Sequence, residues 1–102
     1  MVLTVNINGQ VRDGVDENWI AQRIEGLRRD NESICVNVLV KALGIDLRLT
    51  AGNCPQGGGG GRAPNSQEQE VFKMWNGCGL GSTATFPPGK LIECLKRITR
   101  SL

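Results

Sequence analysis

The cysteines are the residues in this chain whose type could most readily do chemistry. There are four, at Cys35, Cys54, Cys78 and Cys94, and they are dispersed along the sequence. They lack both the close pairing of a zinc site and the density of a secreted disulfide scaffold. The sequence therefore predicts four free thiols.

A catalytic cysteine would need a group that stabilises its thiolate. The chain has no histidine, which removes the usual partner of a nucleophilic cysteine or serine and the commonest metal ligand. Cys78 lies near a predicted helix end and Cys94 inside a predicted helix, so both are expected to be buried packing residues. Cys35 and Cys54 are the more accessible pair. None is predicted to be a nucleophile.

The carboxylates offer neither a metal-binding loop nor a paired acid and base. Most are explained as helix caps, first-turn acids or solubilising charges. They are Asp13, Asp16, Glu17, Glu25, Asp30, Glu32 and Asp46. Without a catalytic set, the sequence predicts a non-enzymatic protein that holds no cofactor and no metal.

The run of five glycines, Gly57 to Gly61, has the composition of a phosphate-binding loop. A P-loop requires Lys and then Ser or Thr directly after its glycines, whereas Arg62-Ala63-Pro64 follows here. Glu68 and Glu70 at the start of the next helix would also repel a phosphate. Two readings stay open, a structural or mobile loop and a segment that becomes ordered on a macromolecular partner. For the second reading, the candidate contact residues are Asn53, Gln56 and Arg62.

Charge points to no particular partner for the whole chain. Its 102 residues carry twelve Lys and Arg against ten Asp and Glu, a net charge of +2, which is far from a dedicated nucleic-acid binder. The C-terminal segment is more basic, with Lys90, Lys96, Arg97 and Arg100 against Glu93. A nucleic-acid-associated regulator that uses these four basic residues is therefore the alternative function, although no aromatic residues are interleaved for base stacking.

Length and hydropathy indicate one domain, residues 1–102, with a single core. The N-terminus has no basic start and no continuous apolar segment, so no secretory signal is predicted, and no stretch reaches membrane-spanning length. Together with the predicted free thiols, this indicates a cytoplasmic protein that does not enter membranes.

The elements that position these residues follow from hydrophobic periodicity. Leu3, Val5 and Ile7 alternate with polar residues and predict a strand that ends at Asn8-Gly9. A two-residue hairpin there would place Val11 opposite Asn6 and mix the two faces, so residues 10–15 are predicted to be a loop or a short second arm. Two further strands are predicted at 34–41 and 45–50, joined as an antiparallel hairpin.

Three helices complete the pattern. The first is capped by Asp16 and runs to about Asp30, the second starts at Asn65 or Ser66 with capping-box spacing, and the third starts at Pro88. Trp19 and Trp75 lie on apolar stripes and are predicted core anchors. The order is strand, helix, strand, strand, helix, helix, with a Gly-rich loop at 52–65 between a strand-rich half and a helical half.

The fold class predicted is α+β, a small three-stranded mixed sheet with helices packed mainly on one face. The first helix would be a crossover between parallel strands one and two. The apolar phases would line the covered face and leave a second face that is polar but short of charge. That face would carry Thr4, Asn6, Asn8, Cys35, Asn37, Leu39, Arg48 and Thr50.

Such a face is solvated, covered by the third helix, or used for association. The leading hypothesis is a small protein-interaction module that binds a protein partner or its own copy through this face or the Gly-rich loop. On the sheet, the candidate partner-binding residues are Asn6, Asn37 and Arg48.

Overall fold

A computed structural model describes residues 2–54, 64–80 and 88–101 of the chain. Over these residues the fold is α+β, with three helices and a four-stranded antiparallel sheet. The elements in chain order are β1 (Val2–Ile7), β2 (Gln10–Asp13), α1 (Glu17–Arg29), β3 (Cys35–Ala42), β4 (Ile45–Gly52), α2 (Ser66–Gly77) and α3 (Pro88–Ser101).

The sheet order is β2-β1-β3-β4, and every neighbouring pair is antiparallel. The prediction of three strands in a mixed sheet is therefore wrong, although the α+β class is confirmed. β2 and β3 both run opposite to β1, so they point the same way with β1 between them. The predicted crossover helix α1 exists, but it leaves from β2 rather than from β1.

The fourth strand is β2, which forms a two-residue hairpin with β1. Of the two predictions for residues 10–15, a loop or a short second arm, the structure has the second. Asn8 and Gly9 occupy the turn with φ values of 49° and 90°, a left-handed backbone conformation that Asn and Gly tolerate best. Ile7 pairs with Gln10, and Val11 does lie opposite Asn6. Mixing the faces is tolerated because β2 is an edge strand whose four residues are all exposed.

The β3–β4 hairpin is confirmed, with Ala42 paired with Ile45. The predicted apolar phases also line the covered face, since every apolar residue in phase on β1, β3 and β4 is buried. These residues are Leu3, Val5, Ile7, Val36, Val38, Val40, Ile45, Leu47 and Leu49.

The helices cover that face and close one hydrophobic core. Asp16 caps α1 by accepting the Trp19 N–H at 3.1 Å. α2 is capped by Asn65, one of the two predicted caps, in a capping box with Glu68. Trp75 is 5% exposed and is a core anchor, whereas Trp19 packs against the core from its side and stacks under Arg12, 5.7 Å from the ring centre.

The cysteines form two disulfides, Cys35–Cys54 and Cys78–Cys94, which overturns the prediction of free thiols. The sequence separations of 19 and 16 hid the pairing. Cys35 begins β3 opposite Gly52, so closing the hairpin brings Cys54 alongside it. Cys78 follows α2 and meets Cys94 where α2 packs on α3.

Candidate interaction surface

The three helices lie on one side of the sheet, and the side chains that point the other way form what we call the open face. On β1, β3 and β4 it contains the residues that alternate with the buried ones, and on β2 it contains the residues paired with them. Besides Cys35, which is in a disulfide, these are Val2, Thr4, Asn6, Val11, Asp13, Asn37, Leu39, Lys41, Asp46, Arg48 and Thr50. The three predicted strands have the phase that the sequence analysis assigned to this face, but the assignment of Asn8 to it is wrong. Asn8 lies in the β1–β2 turn, where its side chain accepts the Cys35 N–H at 2.7 Å and donates to the Ser33 carbonyl at 2.8 Å.

The strand register orders the open face into rows that cross the whole sheet. One row, which we call the charged row, runs Asp13, Thr4, Leu39, Arg48 from β2 to β4. The next, the amide row, runs Val11, Asn6, Asn37, Thr50. The centre of both rows is uncharged, and the charged row ends in opposite signs at the two edges of the sheet.

Asn6 and Asn37 are direct neighbours on the face, and each uses one half of its amide within the chain. The Asn6 Oδ1 accepts the Gly9 N–H at 2.9 Å, and the Asn37 Nδ2 donates to the Cys35 Sγ at 3.3 Å. The Asn6 Nδ2 and the Asn37 Oδ1 make no hydrogen bond within the described residues. A donor and an acceptor therefore remain side by side at the middle of the open face.

The outer edge of β4 is held by α2. The Asp46 N–H donates to the Glu68 Oε2 at 2.9 Å, and the Trp75 Nε1 donates to the Thr50 carbonyl at 2.8 Å. These two bonds occupy backbone groups that an added strand would need, so β4 is a poor site for strand addition. The opposite edge, β2, is only four residues long.

Glu68 is fully buried and ties the start of α2 to the β3–β4 turn. Its carboxylate accepts the backbone N–H groups of Asn65 and Asp46, each at 2.9 Å, and the Asn65 Nδ2 donates to the Gly44 carbonyl at 2.7 Å. A shallow depression of about 520 Å³ lies beside this junction. It is lined by Lys41, Ala42, Gly44, Ile45, Asp46 and Asn65. Glu68 there has a structural role, joining two elements through its hydrogen bonds.

The basic residues of α3 do not form an unbroken positive surface. Lys96 pairs with Glu17 of α1 at 3.0 Å. Lys90, Arg97 and Arg100 are exposed, but helical spacing places Glu93 among them on the same side. These residues are thus available to solvent without converging on a defined site.

The structure brings together half of the residues predicted to bind a partner. Asn6, Asn37 and Arg48 share the open face, whereas Asn53 lies just past β4 and donates its N–H to the Ile34 carbonyl at 2.8 Å. Gln56 and Arg62, with the five-glycine run, lie outside the described residues.

Sequence reasoning missed Val11 and Asp13, which belong to the open face through β2. The Asn8-Gly9 pair was the available signal, since it is the commonest turn of a two-residue hairpin. Val11 is 56% exposed and adds an apolar side chain to a face predicted to be polar.

Two further findings concern membrane spans and metal sites. Within residues 2–54, 64–80 and 88–101, no helix has the length and apolar content needed to cross a bilayer. Over the same part of the chain, no three His, Cys, Asp or Glu residues are grouped so that they could hold a metal ion. Compared with family models, with curated proteins and with solved structures, the chain matches none.

Proposed function

We propose that this protein is a non-enzymatic interaction module that contacts a protein partner, or its own copy, through the open face. The observation that carries the proposal is the face itself: over residues 2–54, 64–80 and 88–101, the four-stranded sheet has helices on one side only. Its other side combines an uncharged centre with exposed Val2 and Val11, at 58% and 56%. Leu39 lies at this uncharged centre, whereas Val11 is on the edge strand β2 and Val2 begins β1 opposite Lys41. A centre without charges and a rim that carries them are usual for a protein-binding surface.

The nucleic-acid alternative has less support. Its candidate residues Lys90, Lys96, Arg97 and Arg100 include one that is engaged by Glu17, and Glu93 reduces the positive charge of the same helix side. Phosphate binding depends on several unpaired cations acting together, because each neutralised phosphate contributes to the affinity.

The disulfides bear on where the protein acts. A cytoplasmic location was predicted from the sequence, and it stays a prediction. Cys35–Cys54 and Cys78–Cys94 favour an oxidising environment instead, because cytosolic thiols are kept reduced. Alkylating thiols in intact cells before lysis would distinguish the two locations. Four labelled cysteines are expected for a reducing compartment, and none for an oxidising one.

Site-directed photo-crosslinking in the native host tests the proposed function. A photoreactive phenylalanine analogue at Thr50 lies on the open face, and the same analogue at Arg97 is the matched control, exposed on α3. We expect protein adducts from Thr50 in about fivefold excess or more over the control, because contacts concentrate on one surface. The adduct mass distinguishes a second copy from another protein. Equal yields from both positions, or no adduct from Thr50, would contradict the proposal.

A further inference from the structure

We infer that the partner of the open face is a second copy of this chain, and that two copies pack sheet against sheet about a two-fold axis. This inference rests on the proposed function, since it takes the open face to be the interaction surface. It adds the partner, the symmetry and the register.

The geometry follows from the strand order. Consider an axis parallel to the strands, midway between β1 and β3 and above the open face. A half-turn about this axis generates the second copy. In the resulting pair, β2 faces β4 of the second copy, and β1 faces β3 of the second copy. Positions along the strands are unchanged, so each row faces the same row of the other copy. Face-to-face sheets commonly pack in this aligned way, with strand directions within about 30° of each other.

The charged row is complementary to itself under this rotation. In one copy, Asp13 and Arg48 lie three strand spacings apart, about 14 Å, which is too far for an ion pair. Across the two-fold axis, Asp13 faces Arg48 of the second copy, and Arg48 faces Asp13 of the second copy. Both side chains are exposed, and within the described residues neither has an ion-pair partner. The dimer would therefore contain two equivalent ion pairs that a single chain cannot make.

The amide row matches in the same register. Asn6 faces Asn37 of the second copy, and these two side chains carry the donor and the acceptor left without a partner in one chain. The rotation thus pairs the Asn6 Nδ2 of each copy with the Asn37 Oδ1 of the other, which gives two equivalent hydrogen bonds. Side-chain amides at an interface fix register in this way, because a shifted register leaves them unsatisfied.

The face is small, and the dimer is accordingly expected to be weak. Four strands at about 4.8 Å and six residues at about 3.3 Å give a patch of about 19 by 20 Å. This is about 380 Å² per copy and about 760 Å² in total, below the size of stable interfaces and in the range of weak, transient contacts. We expect a dissociation constant on the order of 10–100 µM. Sedimentation equilibrium at millimolar protein and low salt should give a mass approaching twice 11.0 kDa, falling toward 11.0 kDa on dilution.

Charge reversal tests the register directly. Asp13→Arg places two like-charged pairs across the axis, and Arg48→Asp does the same with negative charges. Each variant alone should dimerise about tenfold or more weaker than the wild type. An equimolar mixture of the two variants should regain the wild-type affinity to within about threefold, because every facing pair is again of opposite sign. Arg97→Asp, on α3, is the control and should dimerise like the wild type. Circular dichroism and the melting temperature verify that each variant folds.

The outcomes separate this inference from the proposed function. A wild-type mass of 11.0 kDa at millimolar concentration overturns the inference, and the crosslinks from Thr50 then decide the proposed function on their own. Dimerisation without rescue in the mixture also overturns it, since it shows that the copies meet in another arrangement. Rescue in the mixture, with no effect of Arg97→Asp, supports the two-fold register.

Discussion

Replacing Glu68 with alanine is expected to lower the free energy of unfolding by about 2–5 kcal/mol, because two backbone N–H groups lose their charged acceptor. One of them, the Asn65 N–H, is the half of the capping box that Glu68 supplies. The Glu68 side chain is completely buried, and its carboxylate accepts the N–H groups of Asn65 and Asp46. Truncation would leave both donors unsatisfied and would disconnect the start of α2 from β4. The loss is measured as a shift of the urea denaturation midpoint.

Two companion variants make this prediction specific. Glu68→Gln keeps one carbonyl oxygen but turns an amide donor toward a backbone donor, so an intermediate loss of about 1–3 kcal/mol is expected. Glu70→Ala is the control, because the Glu70 side chain is 71% exposed and pairs with the similarly exposed Lys73 at 3.8 Å. It should change stability by about 0.5 kcal/mol or less. If Glu68→Ala behaves like Glu70→Ala, the buried carboxylate does not hold the two elements together.

Removing the Cys78–Cys94 disulfide is expected to have the second large effect. The double variant Cys78→Ala/Cys94→Ala should lose about 2–4 kcal/mol, because the link restricts the unfolded chain across a separation of 16 residues. Removing Cys35–Cys54, with a separation of 19, should cost a similar amount because the two closed loops are nearly equal in length. Urea denaturation without reductant measures both.

Reductant and thiol counting provide the control for the disulfide variants. A dithiol reductant should destabilise the wild type more than either double variant, which has one link left to lose. Alkylation of the unfolded, unreduced protein should label none of its four cysteines. If all four cysteines were labelled and reductant did not change the stability of the wild type, the free thiols predicted from the sequence would be correct and the disulfides wrong.

Periodicity alone was enough to predict the covered face of the sheet. Val36, Val38 and Val40 on β3 occupy alternate positions and are buried. The same holds on β4 for Ile45, Leu47 and Leu49. β2 was predicted only as an alternative to a loop, because its four exposed residues show no apolar alternation and its formation depends on the backbone conformation of Asn8-Gly9. A prediction without β2 also gives the wrong direction of β1 relative to β3. In such a fold α1 has to connect β1 to β3, which makes these two strands parallel, whereas they are antiparallel.

The candidate surface was predictable only where it lies on strongly patterned strands. Asn6, Asn37 and Arg48 were placed correctly relative to the core because each alternates with buried neighbours. Asp13 could not be assigned to the face without β2. The opposite charges at the two ends of the charged row, Asp13 and Arg48, could therefore not be predicted either. The disulfides could not be predicted either, because the pairing depends on the hairpin and on the packing of α2 against α3 rather than on sequence spacing.

The position of α2 along β4 also limits how large any assembly can grow. A sheet with two bare edges can lengthen indefinitely by adding copies, which is the route to fibrils. Here Glu68 and Trp75 hold one border of the sheet, and the other border offers only the four residues of β2. In the proposed dimer, copies meet through their faces and form a closed pair, so we expect this protein not to polymerise at concentrations where an unprotected sheet of the same size would.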